Sequence, residues 1–105
     1  MNYDFEWDPA KDRLNRRNHG VHFEQATHVF RDPRAISVFD EAHSKTEDRW
    51  VTIGLSANGG ILVVHHTFRE SCSSDIRIRM FSCRKASKRE IAQYMEKCLL
   101  SRICG

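Results

Sequence analysis

Six cations, Arg77, Arg79, Arg84, Lys85, Lys88 and Arg89, fall between Asp75 and Glu90 with no carboxylate among them. The planar donor fork of arginine matches the oxygens of a phosphate group. Cations carried on a strand, rather than on a loose tail, suit phosphates held in one place, and that chemistry points toward nucleic acid. Arg79 and Arg84 are the leading phosphate ligands. Arg77 reads equally well as a solvent-facing strand residue or as an RNA contact. Arg79 and Arg84 have opposite strand parity, so they meet on one side only if the chain bulges or turns near Ser82-Cys83. Lys85, Lys88 and Arg89 stand at the start of a helix, where solvation or a helper contact to RNA suits them better than catalysis.

A second group with chemical capacity is His43-Ser44-Lys45-Thr46-Glu47-Asp48-Arg49. Glu47 and Arg49 share strand parity and put a titratable carboxyl beside a fixed cation. The same spacing also describes a surface ion pair, which contributes little to stability. His65-His66 lies near the end of an apolar run, so one ring faces the core side and its neighbour the other. At least one of them reads as a satisfied core histidine. His19-x-x-His22, with His28 beyond, resembles zinc-ligand spacing, but the pair straddles Gly20, a helix end, and lacks a Cys or carboxylate partner. No metal site is expected. Lys11, Arg13, Arg16 and Arg17 give a secondary basic surface for phosphate or an acidic partner.

These residues need elements to position them. Ile76, Ile78 and Met80 alternate with Arg77, Arg79 and Phe81, as on a strand with one buried face. Ser87 and Glu90 then have the spacing of a capping box, and the apolar stripe Ile91, Tyr94, Met95, Cys98, Leu99, Ile103 predicts a helix over 88–103. Phe5-Glu6-Trp7 predicts a first strand. Asp8-Pro9 opens a helix that Gly20 closes, and a second helix spans 23–30 until Asp32-Pro33 breaks it. Strands follow over 35–39, 49–55 and 61–68, the last two joined by a hairpin turn at Asn58-Gly59-Gly60. Ser71 to Asp75 is a loop. The resulting order, β-α-α-β-β-β-β-α, is an α+β fold with two N-terminal helices, an antiparallel β-sheet and a C-terminal helix. Tyr94, Met95 and Leu99 read as core; Trp7 and Trp50 read as core or, on a strand, as stacking surfaces for a base.

At 105 residues the chain is expected to form a single domain, with the 40% apolar and 30% charged content of a globular protein. Net charge is only +3, so attraction to a polyanion depends on where the cations cluster. Cys72, Cys83, Cys98 and Cys104 form no C-x-x-C pair, and neither a signal peptide nor a membrane-length apolar run is present. A cytoplasmic protein with reduced thiols is expected, with oxidation of Cys98 or Cys104 between chains as the alternative.

Taken in order, the residues resemble one family. They are Phe5-x-Trp7-Asp8-x-x-Lys11-x-x-x-Asn15, His19-Gly20-Val21-x-Phe23-Glu24-x-Ala26, Asp32-Pro33 and His43-Ser44-x-x-Glu47-x-Arg49. Gly54-Leu55-Ser56, Leu62-Val63-Val64-x-His66-Thr67, Ile78-Arg79-x-x-Ser82-x-Arg84-x-Ala86, Glu90 and Tyr94 complete the set. The pattern is similar to the BrnT ribonuclease toxins of bacterial toxin–antitoxin pairs, whose fold is RelE-like. Cys83 stands where alanine is usual, and the tail from about residue 97 to 105 extends past the matched region.

The resemblance implies an endoribonuclease that needs no metal or other cofactor and arrests growth by cutting RNA. It also implies a BrnA-like antitoxin that neutralises the toxin and, with it, represses their operon, so that operator DNA is met only through the antitoxin. Such cleavage uses the ribose 2′-OH as nucleophile. It needs a base, an acid and stabilisation of the crowded phosphorane. Arginine stays charged and cannot shuttle the proton, so Arg49, Arg79 and Arg84 are assigned to charge stabilisation, Glu47 to the base and His66 to the acid. His43 can replace either, and His43, Arg77, Lys85 and Lys11 are expected RNA contacts. The rival reading is a basic domain that binds nucleic acid or a partner without cutting.

Overall fold

The computed structural model describes residues 3–70 and 75–104, with side chains through residue 96. Strand β1 is Tyr3–Glu6, two residues earlier than the pattern predicts at its start. Helix α1 spans Pro9–His19; the Asp8 carboxylate accepts from the Ala10 amide, and Pro9 carries a φ already suited to a first turn. Gly20 ends it at φ 69°, the left-handed conformation that lets its N–H reach the Arg16 carbonyl.

The predicted second helix divides. Helix α2 covers only Phe23–Ala26, and the chain tightens into a 3-10 turn over Thr27–Arg31. Phe23, Ala26 and Val29 are still buried, as their spacing requires. Strands β2 (Ile36–Phe39), β3 (Trp50–Leu55), β4 (Ile61–Glu70) and β5 (Ile76–Lys85) follow, and helix α3 covers Lys88–Cys104. The loop expected over 71–75 lies, apart from Asp75, outside the described residues. So do Cys72 and the side chains of Cys98 and Cys104.

The sheet order is β1-β5-β4-β3-β2. Four strands are antiparallel as expected, but β1 runs parallel to β5, pairing Tyr3 to Glu6 with Ile76 to Arg79. A crossover through α1, α2 and the hairpin strands makes that parallel pairing possible. One face of the sheet packs on α2 and the 3-10 turn, burying Phe23, Val29, Val64, Ile78, Met80 and Cys83. Gly54 is obligatory beneath that turn, because a Cβ there would lie 2.8 Å from Val29 Cγ1.

Among the described residues, the other face is covered at one end only. Tyr94 of α3 packs with Ile53 and Val63, with Val51, Ile61 and Ala86 beside them. The capping box forms as read: the Ser87 amide donates to Glu90 Oε1 at 2.8 Å and the Glu90 amide to Ser87 Oγ at 3.2 Å. The Tyr94 hydroxyl donates to Asp32 Oδ2, which also accepts from the Leu55 amide at 2.9 Å. Burial raises the Asp32 pKa, but these bonds and one from the Arg34 amide outweigh it and leave the carboxyl below its usual value. Asp32 thus ties α3 to the end of β3. Among the described residues nothing covers the rest of that sheet face.

Beyond Glu6 the edge of β5 has no strand partner from β1, and Asn15 of α1 replaces it. Its side-chain amide accepts from the Cys83 N–H at 3.1 Å and donates to the Cys83 carbonyl at 2.8 Å, as a neighbouring strand would. Asn15 is buried, so loss of either bond would leave backbone groups unsatisfied. The Cys83 thiol lies in the same pocket, its pKa pushed up to about 12 by burial, and is chemically inert.

Candidate active site

The strand pairing of β4 and β5 decides which cations meet. Leu62 to His65 lie opposite Lys85 to Ser82, whereas His66 to Glu70 lie opposite Met80 to Ile76. Phe81 therefore has no partner on β4. This β-bulge changes the parity of β5, so Arg79, opposite Thr67, and Arg84, opposite Val63, project from the same face. It falls at Phe81, one residue before the Ser82-Cys83 pair near which it is expected.

Phe81 is the centre of the open face. The guanidinium carbon of Arg49 lies 4.4 Å from its ring centroid, that of Arg79 5.8 Å, and the ammonium of Lys11 5.4 Å. Three elements, α1, β5 and the chain entering β3, each deliver one cation to a single ring. The negative ring face offsets part of their mutual repulsion. The Arg49 side chain is only part-exposed, and its Nε is buried with no hydrogen-bond partner among the described residues. Glu47 stands 3.7 Å from Arg49 Nη2, too far for a hydrogen bond but near enough to orient the guanidinium.

A cleft of about 220 Å³ opens beside the ring, lined by Asp40, His43, Arg49, His65, Phe81 and Ser82. His43 is largely exposed and its Nδ1 lies 2.8 Å from Asp40 Oδ2. His65 is half-buried between these groups, and its pKa is lowered, first by burial and then by the nearby Arg84 charge. It is therefore neutral at neutral pH. A neutral imidazole, an exposed imidazole and a cluster of cations can transfer protons at a phosphate and stabilise its charge.

His66 does not join them. It is 0% exposed on the opposite face, edge-on to Phe30 and Phe68, with ring centroids 4.7 and 4.5 Å away. A carbonyl can only accept, so Nδ1–H donates to Thr67 O at 3.2 Å. Nε2 then accepts from the Thr52 hydroxyl at 2.6 Å, which accepts in turn from Ser37 at 2.8 Å. Burial drives its pKa down to about 4. In the pair His65-His66, the core takes the second ring and the cleft the first, so the ring expected to be the acid lies away from the cleft.

Arg84 faces the cleft side, but its fork is engaged. It donates to Glu90 Oε1 at 2.7 Å and Oε2 at 2.9 Å, joining β5 to the first turn of α3. The pair holds Glu90 down to about 2 and raises Arg84. Lys85 lies opposite Leu62 on the other parity and lines a separate, larger concavity of about 470 Å³ with Gly20, Val21, Ala86 and Ile91, away from the cations. Arg77 is exposed on the same face as Arg79, directly opposite Arg69. Like charges so paired destabilise a sheet and suit a polyanion.

Sequence reasoning missed Asp40, Arg69, Phe81 and Ser82, and took His66 rather than His65 from the adjacent pair. Signals were carried by that pair and by the order Arg79, Phe81, Arg84, through the parity conflict that a bulge resolves. Trp7 and Trp50 pack in the aromatic clusters of the helix-covered face, against Phe23 and against Phe39 and Phe68. His22 and His28 are exposed, and among the described residues no three His, Cys, Asp or Glu groups converge as metal ligands. No described helix is long and apolar enough to cross a membrane.

Residues 7–90 match the family model described as the ribonuclease toxin BrnT of type II toxin–antitoxin systems. The fold is similar to the crystal structure of the Brucella abortus ribonuclease toxin BrnT, at 22% identity and a TM-score of 0.55, covering 84% of this chain and all of that one. Among curated proteins, none matches. The family match spans most of the chain and includes every residue of the cleft; the chain belongs to the BrnT family of ribonuclease toxins.

Proposed function

We propose that the protein is a metal-independent endoribonuclease that cuts single-stranded RNA in the cleft beside Phe81. The observation that carries this reading is the meeting of Lys11, Arg49 and Arg79 around one ring, next to His43 and His65. The cations hold the scissile phosphate and stabilise the extra charge of the phosphorane. Neutral His65 takes the 2′-OH proton as the 2′-oxygen bonds to phosphorus. The P–O5′ bond breaks, and His43 gives a proton to the departing 5′-oxygen. The products are a 2′,3′-cyclic phosphate and a 5′-hydroxyl. Glu47, first assigned as base, holds Arg49 in this scheme, and Arg69 and Arg77 take flanking phosphates.

Chemistry in which side chains supply base, acid and charge needs no metal. Incubation of the purified protein with end-labelled RNA, with and without EDTA, tests this. Cutting that survives chelation and leaves cyclic phosphate ends supports the proposal. Cutting that EDTA abolishes overturns metal independence, and binding without cutting leaves a nucleic-acid-binding domain. Family membership supports a toxin acting in the cytoplasm, neutralised by a BrnA-like antitoxin through which the pair represses its operator. Co-purification with the product of an adjacent small reading frame, and operator binding only by the pair, are the corresponding measurements.

A further inference from the structure

The loop between β2 and β3 is closed at its neck by one hydroxyl. The Asp40 N–H donates to the Arg49 carbonyl at 2.8 Å, and the Ser44 hydroxyl donates to the Asp40 carbonyl at 2.6 Å. The Arg49 N–H in turn donates to Ser44 Oγ at 3.0 Å. These bonds continue the β2–β3 pairing one step beyond Phe39 and Trp50 and fix Asp40 beside Arg49. Within the loop a short 3-10 turn, Glu41–His43, brings the His43 ring back over Asp40. The Asp40 side chain is 17% exposed and that of His43 68%, and both line the cleft.

An ordinary surface ion pair joins two mobile, solvated ends and contributes little. Here the carboxylate is anchored through its own backbone, and the imidazole is the exposed partner. A carboxylate only accepts, so a His43 ring bound to it carries a proton on Nδ1, in the neutral ring and in the imidazolium alike. Among the described residues Nε2 has no partner and is left for substrate. We propose that Asp40 is a positioning residue for proton transfer: it accepts from Nδ1–H and so orients the His43 ring, and when the ring carries a second proton on Nε2, that N–H meets the leaving 5′-oxygen. The proposal rests on the ribonuclease reading above and extends it to a residue that touches no substrate atom.

The test is a double-mutant cycle with Asp40→Asn and His43→Ala, measuring single-turnover cleavage and RNA affinity separately. Asparagine keeps the backbone bonds at the loop neck, so the thermal midpoint should stay near that of the wild type. Its amide can accept from Nδ1–H or donate to Nδ1, so the tautomer is no longer fixed. His43→Ala should slow cleavage by about 10²-fold, and Asp40→Asn by at least ~10-fold with RNA affinity within about twofold of wild type. Because Asp40 acts through His43, the double variant should be no slower than His43→Ala alone. At a pH where the ring is neutral, long-range ¹H–¹⁵N spectra should show the His43 proton on Nδ1 in the wild type and divided between both nitrogens in Asp40→Asn. Wild-type cutting that Asp40→Asn leaves unchanged, or equal slowing by Asp40→Asn with and without His43, overturns this inference alone. RNA left whole by the wild-type protein overturns the ribonuclease reading and the inference with it.

Discussion

Arg79 and Arg84 project from one face of the sheet because Phe81, between them, pairs with no residue of β4. The extra residue reverses the parity of β5, and the same bulge puts the Phe81 ring where Lys11, Arg49 and Arg79 gather. Beyond the bulge the two arginines part in role. Arg79 stays with the cluster at the cleft, while Arg84 spends its fork on Glu90.

That division predicts different failures. Arg79→Ala should abolish cleavage with a thermal midpoint nearly unchanged, since the side chain is exposed. Arg84→Ala and Glu90→Gln should each lower stability by roughly 1 kcal/mol, the scale of a part-exposed bidentate pair. If Arg84 serves mainly to dock α3, the two variants should cleave alike in single-turnover assays. Loss of cleavage in Arg84→Ala with full activity in Glu90→Gln would return Arg84 to the reacting centre.

Binding should depend on salt according to the number of phosphates held. With the scissile phosphate held by Lys11, Arg49 and Arg79 and two flanking phosphates by Arg69 and Arg77, log affinity for single-stranded RNA should fall against log salt with a slope of roughly −2, about −0.7 per phosphate. Removing Arg69 or Arg77 by alanine should in each case flatten the slope by about 0.7 in a titration series. A slope near zero in the wild type would exclude binding led by phosphate.

Acid should destabilise the fold through His66. Its folded pKa of about 4 lies below the usual 6.5, so the unfolded chain binds the proton more readily. Stability is complete above pH 6.5 and declines as pH falls toward 4, by up to about 3 kcal/mol. Glu90, held near 2 against a usual 4.5, adds a further loss as pH falls from 4.5 toward 2. Denaturant midpoints measured across this range should follow that course. His66→Phe, which keeps an aromatic ring between Phe30 and Phe68, should flatten the upper part of the profile and still cleave RNA. Loss of cleavage in that variant would restore His66 as a reacting group.

The pH–rate profile should report His65. Burial, Arg84 and His43 lower its pKa, while Asp40 and Glu90 oppose them, and the net shift is downward. The deprotonated base therefore persists to more acid pH than an ordinary histidine allows, and the acid limb of kcat/KM should lie below 6.5. His65→Gln should remove that limb and most of the rate. An acid limb that survives in the variant would assign the base elsewhere.

The sequence by itself determined where α1 begins and ends and where α3 begins, because those signals are local. Asp8-Pro9, Gly20, and Ser87 with Glu90 each satisfy or stop a helix through atoms within a few residues, and all three behave as read. It also supplied residue types for the proposed chemistry, since Arg49, Arg79 and His43 suit a phosphate site. Tertiary structure decided which side chains share the site. β4 is apolar on both faces, so alternation alone cannot tell His65 from His66; the side that α2 and the 3-10 turn cover decides it. Likewise the spacing of Arg79 and Arg84 demands a bulge but leaves open where it falls, and the bidentate claim of Glu90 on Arg84 exists only once α3 folds back onto β5. Strand parity is relative, and only packing against a second layer gives it an inside and an outside.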